Sequence, residues 1–435
     1  MCGISVIIDA PNQPIRADEI QAMTDAVAHR GPDGEGFWTK KNIAFGHRRL
    51  AILDLEPARG QQPMKYLNDR YVIIHNGEIY NYLEIRQLLI SKNYNFSTQT
   101  DTEVIAAAYD CWGEACLAHF NGMWAFVIFD NQKNTVFAAR DRFGVKPLYY
   151  YQKNTKFYLA SEIKQFTTTS GWQPILNETI ALDFLQHGLK NHSNDTFFEE
   201  VKTLPAAHFL IYNIDNQQFK IKKYYDLSEK SAEKSTKNFE SAKEKFTHLL
   251  SDAVRLRLRS DVKIGTALSG GLDSSAVTAL ATGLLGVPTA TVSACFPNQE
   301  NDETLYIHSV TAFLETTNYP AFPCWEEMKK EMQNLIWQQD EPIGSASVFA
   351  QSEVFRMAKK QGLTVMLGGQ GADEILGGYD AFLRPYFKNM FQKNLLRAIF
   401  SVANYARLHR LNWSQLVGYQ KNTIAFFRKE SAKIF

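Results

Sequence analysis

The sequence predicts two domains of different class: an α+β unit built from antiparallel sheets, then an α/β unit on a doubly wound parallel sheet. The first half carries short strand-like runs closed by hairpin turns, the pattern of antiparallel pairing. The second half alternates strand and helix, the rhythm of parallel βαβ units. Between them, from Lys222 to Lys245, the composition turns to Ser, Lys and Glu, as in a connector. These readings set a first domain over residues 2–210, a connector over 211–238 and a second domain over 239–435.

In the first domain, Tyr71–His75, Met123–Phe129, Thr135–Arg140, Pro147–Tyr151 and Lys156–Ser161 read as strands, rich in β-branched and aromatic residues. Asp130-Asn131-Gln132-Lys133-Asn134 is a hairpin turn, because Asn and Asp bond to their own backbone and tolerate left-handed conformations. Asp18–His29, Asn81–Lys92 and Thr102–Trp112 read as helices. After the connector, Phe239, Ala242, Phe246, Leu249, Leu250, Ala253 and Val254 fall on one face of an amphipathic helix. Val262–Leu268, Thr289–Phe296 and Leu363–Leu367 then read as strands. Ser274–Leu285, Glu303–Leu314, Glu326–Gln338 and Val348–Gln361 read as helices. No internal repeat is visible.

Of the 435 residues, 45% are hydrophobic and 21% charged, as in soluble globular proteins. With 47 Lys+Arg against 46 Asp+Glu the net charge is +1, so neither a nucleic-acid nor a membrane partner is expected. The cysteines (Cys2, Cys111, Cys116, Cys295 and Cys324) are scattered and lack metal-site spacing, which fits a reduced, cytoplasmic setting. The N-terminal segment holds Asp9, Arg16, Asp18 and Glu19 and no apolar core, so no signal peptide is expected. No apolar run approaches the ~18 residues of a membrane span. After Tyr379 the chain is basic and aromatic, with Arg384, Lys388, Lys393, Arg397, Arg407, Arg410, Lys421, Arg428 and Lys429. This reads as a solvated helical face.

Two features carry chemistry. Removal of Met1 would leave Cys2 with both a thiol and a free α-amine, a nucleophile joined to its own base. Such an amine titrates at about 7.7–8, near cellular pH, and can take and return a proton. In the second half, strand Lys263–Leu268 runs into Ser269-Gly270-Gly271-Leu272-Asp273-Ser274-Ser275 and then a helix. The two glycines let the backbone close around an anion, the helix N–H groups point at it, and the serines add donors. A second loop, Gly368-Gly369-Gln370-Gly371-Ala372-Asp373-Glu374, follows strand Leu363–Leu367. Asp273 and Asp373 could share a Mg²⁺ bound to pyrophosphate, since Mg²⁺ takes one or two carboxylates plus phosphate oxygens.

The first loop resembles the SGGxDS loop of ATP pyrophosphatases. With Arg30-Gly31-Pro32-Asp33, Gly46-His47-Arg48-Arg49-Leu50-Ala51-Ile52, Asn76-Gly77-Glu78-Ile79-Tyr80-Asn81, Asp101-Thr102-Glu103, Asp141-Arg142-Phe143-Gly144-Val145-Lys146-Pro147 and Asp340-Glu341-Pro342-Ile343, the chain resembles glutamine-dependent asparagine synthetases. The resemblance runs from residue 2 to about residue 380. It implies an N-terminal-nucleophile α-β-β-α sandwich joined to an ATP pyrophosphatase domain. By the same resemblance Cys2 attacks the glutamine amide, and Asn76 and Gly77 form the oxyanion hole. Arg49, Leu50, Ile52, Glu78 and Asp101 complete the glutamine pocket, with Arg49 on the α-carboxylate and Asp101 and Glu78 on the α-ammonium. ATP would lie on Leu268, Ser269, Gly270, Gly271, Asp273, Ser274, Ser275, Val292, Ser293, Gly368 and Gly369. Ammonia would cross an apolar interdomain tunnel, and the family often forms dimers.

The acceptor implied by the resemblance is aspartate, giving asparagine, AMP and pyrophosphate. Another carboxylate, such as a uronic acid in surface-polysaccharide synthesis, is the alternative, as is a chain with glutaminase activity only. Gln370 stands where many members carry Glu, which argues against a base at that position. Members usually extend well beyond the second loop, so the synthetase half is expected to be incomplete at Phe435.

Overall fold

The computed structural model describes residues 1–231, 238–299 and 302–408. The first half contains strands β1 (Gly3–Ile8), β2 (Gly34–Lys40), β3 (Ile43–Arg49), β4 (Met64–Tyr66), β5 (Tyr71–Ile79), β6 (Gly122–Asp130), β7 (Thr135–Arg140), β8 (Tyr149–Lys153), β9 (Lys156–Ala160), β10 (Val201–Thr203), β11 (His208–Asn213) and β12 (Gln218–Lys223). They form two six-stranded antiparallel sheets, ordered β10-β8-β9-β1-β3-β2 and β12-β11-β7-β6-β5-β4. The helices of this half are α1 (Ala17–Asp25), α2 (Tyr82–Ile90), α3 (Asp101–Trp112) and α4 (Glu178–His187).

The side-chain period of two assigns each strand residue to a layer. Ile4, Val6, Ile8 and Phe45 of one sheet meet Val72, Ile74, Ala125, Val127 and Phe129 of the other, forming the core between the sheets. Ile73, Phe126, Ile128 and Phe137 point the other way, onto Ile85 and Leu89 of α2 and Val104, Ile105 and Ala108 of α3. Ile7 and Ala44 pack outward against Ile20 and Met23 of α1. The result is four layers, α-β-β-α. Strands buried on both faces lose the polar half of their alternation, which is why β6 reads as a nearly continuous apolar run.

The sequence leaves β1, β2, β3, β4, β10 and α4 unassigned, and two boundaries differ from expectation. The hairpin β11–β12 extends the second sheet to Lys223, whereas the expected connector starts at residue 211. β12 is an edge strand whose lysines face water, and only Phe219 and Ile221 pack on the core between the sheets. The helix predicted to reach His29 stops at Asp25 and gives way to a tight turn over Ala28–Arg30.

The second half begins with α5 (Leu227–Ser231) and α6 (Phe239–Arg257). It continues β13 (Ile264–Ala267), α7 (Leu272–Leu285), β14 (Thr291–Ala294), α8 (Thr304–Leu314), β15 (Asn318–Ala321), α9 (Trp325–Gln339), α10 (Ser347–Lys360), β16 (Val365–Leu367), α11 (Ala372–Leu376), α12 (Leu383–Lys393) and α13 (Leu395–Leu408). The sheet is parallel, ordered β15-β14-β13-β16. The strand order reverses beside β13, so the loops after β13 and β16 flank the crevice where doubly wound sheets bind ligands. β15, which the sequence does not signal, is a short edge strand containing Pro320. Arg410, Lys421, Arg428 and Lys429 of the basic tail lie outside the described residues.

Candidate active site

β1 and β3 pair with Gly3 opposite Arg48, which brings the preceding Cys2 beside the end of β3. The parity that sends Ile4 and Val6, Ile43 and Phe45, and Val72 and Ile74 between the sheets carries on to Cys2, Arg49 and Asn76. Three separate segments therefore deliver these side chains to one end of the sandwich. A small pocket opens there, walled by Cys2, Arg49, Leu50, Ile52, Glu78 and Asp101. Gly77 also lines it, as do Gly60, Gln62 and His75.

The Cys2 Sγ lies 3.4 Å from the Leu50 N–H. The Cys2 carbonyl accepts from Arg30 Nε at 2.7 Å, and the Ile4 N–H donates to Ser161 Oγ at 2.9 Å, so the start of β1 is anchored on both sides of Gly3. Burial raises the Cys2 thiol above its ordinary value. The α-amine, here carried by Met1, is lowered by burial to about 5 and is neutral at neutral pH.

Arg49 is buried, and its Nη2 donates to the carbonyls of Leu53 (3.2 Å) and Asp54 (2.6 Å). Among the described residues no carboxylate lies within ion-pair distance of it, so its charge is free for a ligand. Gly60 makes room for it: a Cβ there would fall 1.8 Å from Nη2. No sequence motif signals Gly60, because its role depends on where the guanidinium lies.

On the opposite wall, Asp101 begins α3 and its Oδ2 accepts from the Ile79 N–H at 2.8 Å. Burial pushes Asp101 up to about 6, and burial together with Asp101 pushes Glu78 well above the usual carboxylate range. A buried and a half-buried carboxylate side by side repel each other, and a bound ammonium would relieve both. Gln62 braces this wall, accepting from the His75 N–H (2.6 Å) and donating to Thr102 Oγ1 (3.2 Å). Burial lowers His75 to about 3 and His47 to about 4, so both are neutral supports.

Asn76 is fully buried, and both polar atoms of its amide lack a partner among the described residues. A buried amide left unpaired costs about 1–3 kcal/mol and marks a group awaiting a ligand. Gly77 has φ +151°, and a Cβ there would meet the Met123 carbonyl at 2.1 Å. Only glycine fits, which leaves its N–H in an unusual orientation beside Asn76.

Beyond Met123, whose carbonyl abuts Gly77, a cavity of about 500 Å³ is walled by the first half and by Arg257 of α6, which packs on the Tyr80 ring. Tyr80, Phe120, Met123, Arg142, Val145 and Arg257 line it. The sequence does not reveal it, because it forms between distant segments, and its two arginines make it less apolar than the expected tunnel.

In the second half the Ser269–Ser275 loop lies at the switch point. Gly270 takes φ +85° and lets the backbone turn under α8, where a Cβ would meet Tyr306 Cβ at 2.7 Å. Ser274 Oγ donates to the Gly271 carbonyl (3.3 Å) and accepts from the Ser269 N–H (3.1 Å), closing the loop on itself. Ser275 Oγ is buried without a partner among the described residues. Gly369 touches the start of α7, where a Cβ would lie 2.9 Å from Asp273 Cβ, so the two loops meet. Leu268, Val292 and Ser293 are buried beside them, with the Leu268 N–H on the Val292 carbonyl (3.0 Å) and Ser293 Oγ on Asn318 Oδ1 (2.8 Å). Asp273 and Asp373 are half-buried in the first turns of α7 and α11. Among the described residues no cluster of three His, Cys, Asp or Glu side chains forms, so a cation here would draw its other ligands from phosphate and water.

The halves are clasped at several points. Asp340 Oδ1 pairs with Lys164 Nζ at 2.9 Å, and its Oδ2 accepts from the Ile163 N–H at 2.7 Å. Glu341 accepts from the Phe197 N–H at 3.1 Å. Arg259 Nη1 donates to Glu84 and to the Tyr80 carbonyl, at 2.6 and 2.7 Å. The sequence motif Asp340-Glu341-Pro342-Ile343 thus sits at the domain interface.

The two halves match different family models, the first a glutamine amidotransferase domain over residues 1–225, the second asparagine synthase over residues 245–433. A putative glutamine-hydrolysing asparagine synthetase 2 of Methanocaldococcus jannaschii is 36% identical over 415 residues, covering 90% of this chain and 78% of the relative. The chain belongs to the glutamine-hydrolysing asparagine synthetase family. Within the family, asparagine synthetase 3 of Bacillus subtilis is 33% identical over 397 residues, 88% of this chain and 64% of that one. The chain thus spans between 64% and 78% of these relatives' lengths. Among solved structures, the glutamine phosphoribosylpyrophosphate amidotransferase of B. subtilis, complexed with ADP and GMP, superposes with a TM-score of 0.40 at 14% identity. That superposition covers 85% of this chain and 91% of the other. Among the described residues no helix is long and apolar enough to cross a membrane.

Proposed function

We propose that the chain hydrolyses glutamine at Cys2 and uses the ammonia to amidate an adenylated carboxylate, aspartate being the acceptor the family favours. One observation carries this reading: Cys2, Arg49, Glu78 and Asp101 converge from separate segments on a single pocket. That pocket offers a cation for an α-carboxylate, two carboxylates for an α-ammonium and a thiol between them. A free α-amino acid with an amide side chain matches that set.

With Met1 removed, the Cys2 amine would take the thiol proton as Sγ attacks the amide carbon. The oxyanion would fall to the Asn76 amide and the Gly77 N–H, typically worth about 3–4 kcal/mol per donor. The C–N bond then breaks, the amine returns its proton to the leaving nitrogen, and ammonia departs. Water cleaves the thioester to glutamate. The cavity beyond Met123 is the route we assign to ammonia, and Arg142 and Arg257 on its wall would repel ammonium while neutral ammonia passes. At the second site the Ser269–Ser275 loop would hold ATP phosphates, and the acceptor carboxylate would attack the α-phosphorus, releasing pyrophosphate. Ammonia would then displace AMP from the acyl adenylate. Asp273 and Asp373 would hold Mg²⁺, which neutralises charge on the leaving pyrophosphate.

In the 435-residue chain, Cys2→Ala should lower glutamate release by on the order of 10³-fold or more. Amide formation from added ammonia should persist. Loss of both reactions in a folded variant would defeat the two-site scheme. Turnover of a sugar acid but not aspartate would redirect the acceptor assignment.

A further inference from the structure

Arg49 has two backbone partners in the glutamine pocket, the carbonyls of Leu53 and Asp54. The aim of its guanidinium therefore depends on the loop that carries them. Asp54 is buried, and its φ of +52° is a left-handed conformation that a non-glycine residue adopts only when its surroundings hold it there. Part of that support is local: Asp54 Oδ2 accepts from the Gln99 N–H at 2.9 Å, and Arg59 pairs with its Oδ1 at 3.5 Å.

The rest comes from the other half of the molecule. Asp261 Oδ2 accepts from the Asp54 N–H at 2.8 Å, and the Asp261 N–H donates to the Ile52 carbonyl at 3.0 Å. The two contacts bracket Leu53 and fix the turn from both sides. Asp261 itself is anchored two residues upstream, where Arg259 grips Glu84 and the Tyr80 carbonyl. Three residues downstream begins β13, which leads into the phosphate loop.

We propose that Asp261, supplied by the nucleotide-binding half, is a positioning residue for the glutamine pocket: it holds loop 52–54 so that Arg49 points at the substrate carboxylate. The inference rests on the reading of Arg49 given above. Without the Asp261 carboxylate, the Asp54 peptide can relax to a commoner backbone conformation and turn its carbonyl away from Nη2. The loss falls chiefly on the carboxylate end of the substrate. The Asp261 charge also bears on Glu78 at the ammonium end, a change that Asp261→Ala and Asp261→Asn share, so comparing the two isolates the hydrogen bond.

The test compares glutamine with 4-aminobutanamide, which keeps the amine and the amide but lacks the carboxylate. In Asp261→Ala the glutamine KM should rise about tenfold, the equivalent of one hydrogen bond, with kcat within about twofold of wild type. The preference for glutamine over 4-aminobutanamide should fall by the same factor. Asp261→Asn, whose amide oxygen still accepts from the Asp54 N–H, should restore both values. An unchanged glutamine KM in Asp261→Ala, an equal loss with both substrates, or an Asn variant as impaired as Ala would each overturn the proposal. Asp261→Leu, which keeps bulk but offers no acceptor, gives the same readout should the alanine variant not fold. Amide hydrogen exchange across residues 50–56 provides a second readout that needs no turnover. Exchange at Asp54 should quicken in Asp261→Ala but not in Asp261→Asn, and equal protection in all three proteins would again overturn it. Wild-type protein that releases no glutamate would defeat the functional reading, while the exchange result would still decide the contact.

Discussion

Lys146 carries an ammonium into the interior without an ion-pair partner within reach among the described residues. Its backbone N–H and that of Trp124 both donate to Asp141 Oδ2, at 3.0 and 3.2 Å, and Trp124 pairs with Gly77 across the ladder. That geometry sets the lysine next to the pocket wall. The charges acting on it are Arg30, Cys2, Glu78 and Asp141. Burial, reinforced by Arg30, lowers it from 10.5 to about 8. Between those two values the unfolded chain holds the proton and the folded chain does not, so stability rises with pH. Below about 8 the lysine is charged in both states, and the fold bears the whole burial cost, roughly 3 kcal/mol. A group kept at such cost beside Cys2 and Glu78 belongs to function. Lys146→Met should therefore raise the melting temperature at neutral pH and lower kcat/KM for glutamine. The thermal gain should fade toward pH 10.5. A variant less stable than wild type at neutral pH would show that the charge is compensated.

β5 is the element on which the chemistry hangs, since one strand contributes Asn76, Gly77 and Glu78 in succession. Alternation sends Asn76 and Glu78 between the sheets, and Gly77 lets the strand press against the Met123 carbonyl. Gly77→Ala must push β5 from β6 where the N–H proposed for the oxyanion sits. We expect stability to fall by on the order of 2–4 kcal/mol, with kcat reduced far more than KM. Urea unfolding and steady-state kinetics measure the two effects, and a variant matching wild type in both would remove Gly77 from the mechanism. How legible each element is follows from the same physics. β6 and β7 announce themselves because both faces are buried and the residues between them form a polar turn. β12 does not, since four of its six residues are polar on an open edge. β15 is too short, and its proline argues against a strand. The site divides likewise. Cys2, Arg49, Asp101 and the Ser269–Ser275 loop are readable because their chemistry resides in the residue types. Gly60, Gln62 and Asp261 act through neighbours distant in sequence, and nothing in their own segments announces it. Lys146 lies in a recognisable motif, but its burial beside the pocket is not readable from it.

At the scale of the molecule, the two halves share a polar chain that ends at Cys2. Asp340 pairs with Lys164, Lys164 with Glu162, Glu162 with Arg30 Nη1 at 2.7 Å, and Arg30 Nε with the Cys2 carbonyl. His29 adds a further contact to Glu162 and packs on Trp337 of the second half, ring centroids 4.9 Å apart. Glu162 is the hub, so its protonation should loosen the catalytic strand and the interface together. Burial alone would raise its pKa, but His29, Arg30 and Lys164 outweigh burial and hold it at about 2. A carboxylate lowered on folding stabilises the fold above its unfolded value of 4.5, and that contribution drains away as pH falls toward 2. At neutral pH it is on the order of 3 kcal/mol. His47 and His75 act over an earlier window, because burial keeps them neutral and lowers them to about 4 and 3. Their contribution is complete above 6.5 and is lost as pH falls below it. Wild-type protein should therefore lose stability in two overlapping stages on acidification. Glu162→Gln should be less stable at neutral pH, because Arg30 loses its carboxylate partner and Lys164 keeps only Asp340. It should keep the histidine stage and lose the carboxylate stage, so that the two melting curves converge as pH approaches 2. A gap that stayed constant across that range would mean that Glu162 is held by packing rather than by charge, and that the chain linking Asp340 to Cys2 has no electrostatic hub.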